Sequence, residues 1–378
     1  IKAIKPDYYI KGNDYYSSKK NIYYSKNLQL EKKATEKYGG KLIFTRNQTR
    51  SSSSIINNNL LEKDVIDKIK KIKNYYNYEE FLEDIEILKK LKILVIGETI
   101  IDEYIYTSPL GKPSKENIIA TEYFDKKVNL GGIFTAFNTF KAFNNNVDCI
   151  TSISNENKIF FKEKINEINN KKLILNSKFN TTKTRFVQKN SKNLNKLFEM
   201  YNNNYIYNSK INEKIICRYL KEKLNTYDLV LVNDYGHGFL SDKTALKICL
   251  NKKFIALNAQ VNASNIGYHT LQKYKNINAI IINETELRHE MRSKKDDINL
   301  LSRKLITKLK TKNLLVTRGK NGAFLINNKN NKFIECPAFA NNVVDRVGAG
   351  DSMLSIISLL IKIGAPNDLS LLLGSFAG

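Results

Sequence analysis

With 378 residues, 42% of them hydrophobic and 26% charged, the chain can bury a full core, and wholesale disorder is excluded. The 62 Lys+Arg against 37 Asp+Glu give a formal charge of +25, but Lys is dispersed beside Asn, Ile and Tyr with no basic block interleaved with aromatics; a nucleic-acid partner is not expected, and the charge steers anionic small molecules instead. No apolar run reaches the length of a membrane span, no signal peptide is recognisable, and Cys149, Cys217, Cys249 and Cys336 form no C-x-x-C pair, so the expectation is a cytoplasmic protein with reduced thiols, without zinc, disulfides or a membrane partner.

In chain order, residues 1–60 read as a first unit: the short apolar piece "DYYIKG", a charged helical stretch near Leu28 to Tyr38, the strand-like "KLIFT", and then "SSSSII". Apolar residues recur at helical spacing through 61–91, which reads as a helical linker. From Lys92 onward short apolar strands ("KILVIGE", "VDCITSIS", "DLVLVNDYG", "KFIALNA", "NAIIINE", "NLLVTRG", "GAFLIN") alternate with helical segments. That rhythm predicts an α/β fold, an open sheet with helices on both faces, over 92–378. Ligands of such sheets bind where the strands run out at their carboxyl ends.

Several polar motifs fall at those ends. In "DRVGAGDS", Gly348, Ala349 and Gly350 offer close backbone approach at the start of an apolar helix, an anion site with Asp351 at its edge as a proton acceptor. The tetrad alone is equally compatible with a Gly-rich turn and Asp as helix N-cap. In "IINETELRHE", Asn283 and Glu286 stand three apart after a strand; they suit a hydrated Mg²⁺ held through water, although spacing alone favours a capping box. Asp102 in "GETIIDEY", Gly131 and Gly132 in "NLGGIFTAFN", and Asn138 combine an acid, a diglycine and an amide, a set suited to a polyhydroxylated substrate. Lys183 and Arg185 in "TTKTRFV" share one face of a strand, as a sugar phosphate would require or as a solvated basic edge would show. In "VNDYGHGFLS", Asp234 is the expected ligand contact, and His237 takes a structural or substrate-contact role; no G-x-S-x-G hydrolase elbow occurs.

Taken together and in this order, "GETIID", "LGGIFTAFN", "NETE" and "DRVGAGDS" resemble the ribokinase-like, or PfkB, family of carbohydrate kinases from about Lys92 to Gly378. The resemblance implies Asp351 as catalytic base, Gly348, Ala349 and Gly350 as anion hole, and Asn283 and Glu286 as organisers of Mg²⁺ and phosphate. It also implies Asp102, Gly131, Gly132 and Asn138 as sugar contacts, and Thr317, Arg318 and Gly319 as nucleotide contacts. ATP and Mg²⁺ are the implied cofactors. A small β lid is expected around Tyr104 to Val128 and Lys183 to Tyr207, and the family allows a homodimer paired through it. Ile133 and Phe134 depart from the small residues that usually follow the diglycine.

The first unit resembles the second half of a Rossmann-like, cytidylyltransferase-like nucleotidyltransferase domain, with Lys11 and Ser51 to Ser54 as its implied nucleotide contacts. Only 27 residues follow Asp351, fewer than the family carries (378 minus 351), and the chain starts at Ile1, so a piece cut at both ends is expected. A nucleotidyltransferase joined to such a kinase is similar to the bifunctional heptose 7-phosphate kinase/heptose 1-phosphate nucleotidyltransferases, with the order reversed here. The expected activity is therefore ATP-dependent phosphorylation of a sugar or sugar phosphate, a heptose phosphate first among them, in activated-sugar synthesis. The alternatives are a kinase for an unphosphorylated sugar or nucleoside, and a non-catalytic sugar or sugar-nucleotide binding protein on the same fold.

Overall fold

The structure, a computed structural model, describes residues 1–11, 26–44, 63–167, 173–178, 180–189, 195–202, 210–329, 331–339 and 347–378. It divides into two compact units, Ile1–Ile66 and Asp67–Gly378.

In the first unit, strand β1 (Tyr8–Lys11), helix α1 (Lys26–Glu36) and strand β2 (Lys41–Phe44) form a βαβ element, with β1 and β2 parallel in the register Tyr8 to Lys41. Gly40 must be glycine, because a Cβ there would lie 2.1 Å from the Pro6 carbonyl oxygen. Lys11 pairs with Glu31 at 3.0 Å. Ser51 to Ser54 lie outside the described residues.

The segment expected as one helical linker contains two helices, α2 (Lys63–Lys73) and α3 (Tyr78–Lys90). Asn77 breaks the periodicity by capping α3: its side chain accepts the Glu80 N–H while the Glu80 carboxylate accepts the Asn77 N–H, satisfying donors that a helix start leaves open.

The large unit is built on a nine-stranded sheet. Its strands are β3 (Ile93–Gly97), β6 (Val147–Ser154), β7 (Leu173–Ser177), β10 (Leu229–Asp234), β11 (Phe254–Ala259), β12 (Ala279–Asn283), β13 (Asn313–Thr317), β14 (Ala323–Asn327) and β15 (Phe333–Cys336). Their spatial order is β15-β14-β13-β12-β11-β10-β3-β6-β7, parallel from β7 to β13 and antiparallel across β13, β14 and β15. Strands buried on both faces read as unbroken apolar runs, and the period-two alternation sends their side chains into two cores. Two short helices, α5 (Asn155–Phe160) and α6 (Lys162–Glu167), follow β6. Leu94, Ile96, Val230 and Val232 join one core with helices α7 (Lys210–Lys223), α8 (Asp242–Cys249), α9 (Glu284–Glu290) and α10 (Ile298–Leu309). Ile93, Val95, Leu229 and Leu231 join the other with α3, α4 (Ile133–Lys141), α11 (Ala349–Ile363) and α12 (Asn367–Ala377). The expected open α/β sheet with helices on both faces is therefore present.

A second sheet of four strands runs in the order β5-β4-β8-β9, from β4 (Thr99–Gly111), β5 (Ala120–Gly132), β8 (Thr181–Gln188) and β9 (Lys196–Asn202). It takes in the described parts of both segments read as a lid. In register, Asp102 faces Asn129 on β5 and Lys183 on β8, and Arg185 faces Glu199 on β9. Adjacent positions in register share a face, so Asp102, Lys183, Arg185 and Glu199 lie on one side of this sheet.

Candidate active site

Helix α11 begins at Gly348, whose φ of +81° is left-handed and suits glycine. Gly348 takes the N-cap place, so Asp351 is not a cap: it is the third helical residue, with its side chain turned to the sheet. Asn233 Nδ2 donates to Asp351 Oδ1 at 3.0 Å, Asn258 Nδ2 donates to the same oxygen at 2.8 Å, and the Tyr235 hydroxyl donates to Oδ2 at 2.9 Å. Burial pushes the Asp351 carboxyl up to about 6, against the downward pull of the Tyr235 and Asn258 hydrogen bonds and of the Lys183 charge. A carboxylate so placed is fixed in orientation and can still take a proton near neutral pH.

The first-turn amides of α11 have no acceptor inside their own helix. A Cβ built on Gly350 meets no described residue within 4 Å, so among the described residues the space beside that turn is open. On Gly348 a Cβ would come 3.1 Å from Thr135 Cγ2 of α4, which fixes how the two helix starts approach. Backbone N–H groups at a helix start facing open space, with a carboxylate at the third position, can receive an oxyanion and accept a proton beside it.

The four-stranded sheet supplies a second group. Arg185 Nη1 donates to Asp102 Oδ1 at 2.5 Å, and its Nη2 lies 3.4 Å from Glu199 Oε1. Gly131 packs its backbone on that acid: a Cβ there would sit 1.9 Å from Asp102 Oδ2. Gly132, at φ +63°, ends β5 and starts α4, where a Cβ would lie 2.5 Å from the Glu98 carbonyl oxygen. Lys183 is buried; burial lowers its pKa, partly offset by Asp102, Glu199 and Asp351. Asn138, expected beside the diglycine, is exposed on α4.

Glu98, at the end of β3, braces the loop after β10. It accepts the N–H groups of Tyr235, His237 and Phe239 at 2.6, 3.0 and 3.4 Å. Burial, with the nearby Asp234 charge, raises its carboxyl to about 7. Asp234 itself turns away from Asp351: it accepts Lys273 Nζ at 2.6 Å and the Tyr274 hydroxyl at 2.7 Å. Burial would raise Asp234, but Lys273, His269 and Tyr274 outweigh it and hold the carboxyl low. Burial and the Lys183 charge push the His237 imidazole down to about 4, so it is neutral.

At the carboxyl end of β12, the Asn283 side chain accepts the Glu286 N–H at 2.8 Å. Glu286 accepts the Asn283 N–H at 2.9 Å through one oxygen and the Val261 N–H at 3.1 Å through the other. The capping box therefore forms, and burial raises Glu286 to about 7 while Asp351 adds to the rise. Thr317 ends β13 next door; Arg318 reaches Glu335 at 3.5 Å, and Gly319 has a left-handed φ of +55° with no described residue within 4 Å of a built Cβ. Asp234, Asn283 and Thr317 end β10, β12 and β13, and Gly132 ends β5, whereas Asp102, Lys183 and Arg185 lie within strands of the four-stranded sheet and Gly348 to Asp351 start a helix.

Asn233, Tyr235, Asn258 and Glu98 were not singled out from sequence, although "VND" and "LNA" each place an amide where an apolar strand stops. A cleft of about 720 Å³ lined by His269, Lys273, Cys249 and their neighbours contains none of the residues around Asp351.

Residues 90–362 match the model of the pfkB family carbohydrate kinases. The chain is similar to the bifunctional protein HldE of Helicobacter pylori, 26% identical over 286 residues, which span 71% of this chain and 58% of that protein. The HldE of Desulfatibacillum aliphaticivorans is 24% identical over 282 residues, 72% of this chain and 56% of its own length. The chain thus spans little more than half of these relatives. Among solved structures, phosphofructokinase-2 of Escherichia coli in complex with substrates and products superposes with a TM-score of 0.58 at 13% identity, covering 75% of this chain and 91% of that one. Ribokinase of Thermotoga maritima gives 0.53 at 16% identity, covering 75% and 90%. The ribokinase-like fold expected from the motifs is the fold observed, and the chain belongs to the pfkB family of carbohydrate kinases.

Proposed function

We propose that the protein transfers the γ-phosphoryl group of ATP to a hydroxyl of a sugar or sugar phosphate, a heptose phosphate in particular, on the way to an activated sugar. The observation that carries this reading is the Asp351 carboxylate, oriented by Asn233, Tyr235 and Asn258 in the first turn of a helix with open space beside Gly350. Asp351 takes the proton of the attacking hydroxyl. The amides of the Gly348 to Gly350 turn meet the charge that develops on the transferred group. Asp102 and the Gly131–Gly132 backbone orient the sugar, and Thr317 to Gly319 face the nucleotide.

Asn283 Oδ1 and both Glu286 oxygens accept backbone N–H groups, and no cluster of three His, Cys, Asp or Glu forms among the described residues. These groups fit a Mg²⁺ that keeps its water shell and is held by Glu286 and Asn283 through water, not one ligated directly. Bound with the nucleotide, Mg²⁺ supplies neutralisation of phosphate charge.

The parallel pairing of β1 and β2 beside α1, with Lys11 at the end of β1, supports reading the first unit as part of a nucleotidyltransferase domain, and the HldE likeness supports the pairing of two activities. No helix among the described residues is long and apolar enough to cross a membrane. A cytoplasmic setting and a homodimer paired through the four-stranded sheet complete the proposal.

The test is ADP release with Mg²⁺ and ATP across heptose, hexose and pentose phosphates and their free sugars. Turnover confined to a phosphorylated sugar supports the reading; tight sugar binding without turnover on folded protein contradicts it.

A further inference from the structure

Lys183 and Arg185, paired in sequence as a phosphate-binding couple, have different surroundings. Arg185 is engaged by Asp102 and Glu199, and its guanidinium stacks 5.4 Å from the Tyr104 ring. Lys183 is 6% exposed, yet its ammonium has no hydrogen-bond or ion-pair partner among the described residues, only the Tyr201 ring at 5.3 Å. The carboxylate opposite it in register, Asp102, is taken by Arg185. Near enough for the two to interact electrostatically lies His237, 1% exposed, whose backbone N–H goes to Glu98 while its Nε2 has no partner among the described residues.

A buried ammonium without a counter-ion and a buried ring nitrogen without a partner are each costly, and native structures rarely keep either without reason. Asp351, whose charge reaches Lys183, already accepts three hydrogen bonds from other groups. The two orphaned groups complement each other: the ammonium brings charge without fixed direction, and a neutral imidazole can bring a directed N–H. A planar carboxylate is best matched by an arginine fork, but the arginine here is engaged elsewhere. A tetrahedral oxyanion accepts separate donors from separate elements.

We propose that Lys183 Nζ and His237 Nε2 form the seat of a phosphate group carried by the acceptor sugar, and that Arg185 positions Asp102 rather than touching that phosphate. This rests on the sugar-kinase reading for the identity of the molecule, but not for the existence of the anion seat. His237 is then a specificity-determining residue supplied by the β10 loop, facing a lysine supplied by the small sheet.

The chain has three histidines, so ¹⁵N-histidine labelling gives a readout that does not depend on turnover. Inorganic phosphate titrated into the protein should produce a saturable shift of the His237 ring signals, identified by their loss in His237→Phe. Lys183→Met, which removes a buried charge and is expected to fold, should weaken that titration by about tenfold or more. Arg185→Met should weaken it far less. A His237 signal that ignores phosphate, or a titration unchanged by Lys183→Met, overturns the proposal. In kinetics, Lys183→Met should raise KM for a sugar phosphate at least about tenfold more than for the corresponding free sugar; equal effects on both overturn it. If phosphate shifts His237 but no sugar is turned over, the anion seat stands and the kinase reading fails. Turnover with no response of His237 gives the reverse.

Discussion

Asn233 and Asn258 occupy the same register position on adjacent parallel strands, and both donate to one oxygen, Asp351 Oδ1. The sheet thereby aims two amides at a carboxylate 118 and 93 residues further along the chain. With Tyr235 on Oδ2, the carboxylate has little freedom to rotate. This tripod makes Asp351 a positioned base rather than a helix-start acid.

The tripod also sets a pH dependence. Asp351 acts as carboxylate, so kcat/KM should fall as pH drops through its pKa of about 6. The Tyr235 hydrogen bond favours the charged form, and removing it raises the pKa. In Tyr235→Phe the acid limb of the pH–rate profile should therefore move upward, by on the order of one pH unit. A downward shift would show that some other group controls the limb.

Gly131 and Gly350 make opposite predictions. Alanine at 131 puts a methyl 1.9 Å from Asp102 Oδ2, so the acid must swing out of its pair with Arg185. Gly131→Ala should raise the sugar KM by about tenfold and lower stability by about 1–3 kcal/mol, the range for overpacking. Steady-state kinetics and thermal unfolding check both.

Alanine at 350 meets none of the described residues and sits in a helix, where alanine is the better helix former. Gly350→Ala should leave Tm unchanged or slightly raised while lowering kcat/KM for ATP by about tenfold or more, because the methyl fills the space assigned to a phosphoryl group. Unchanged kinetics would remove the anion role from this turn.

Glu98 is a stability device with its own pH signature. Glu98→Ala orphans three N–H groups and should cost about 3 kcal/mol or more. Its folded pKa of about 7 lies above the ordinary 4.5, so the folded state holds the extra proton. Its contribution is fully present below about 4.5 and is lost as pH rises through about 7. Asp351 and Glu286 give slopes of the same sign and Asp234 the opposite, so the diagnostic is the difference between wild type and Glu98→Gln in denaturant unfolding across that window. Parallel curves would refute the assignment.

What was legible in the sequence was local. Gly348 to Asp351, Asn283 with Glu286, and Asp102 with Gly131 and Gly132 each lie in short motifs at the ends of apolar runs, where the α/β rhythm already places ligands. The alternation of strands and helices likewise gave the sheet and both helix layers. What was not legible depends on register. Asn233 and Asn258 each look like a turn residue until the parallel pairing sets them side by side. The commitment of Arg185 to Asp102 and Glu199 comes from three strands meeting, whereas spacing showed only two cations on one face. The engagement of Asp234 by Lys273 and Tyr274 likewise joins residues about forty apart in sequence.

The most direct test of the central claim is ADP release by wild type and Asp351→Asn, side by side on the sugar the screen identifies, with sugar binding followed by calorimetry. A buried general base contributes on the order of 10²–10⁴ in rate, so Asp351→Asn should lose at least about a hundredfold in kcat with sugar affinity within about threefold of wild type. An Asp351→Asn protein that turns over at the wild-type rate would contradict the assignment of Asp351 as the base.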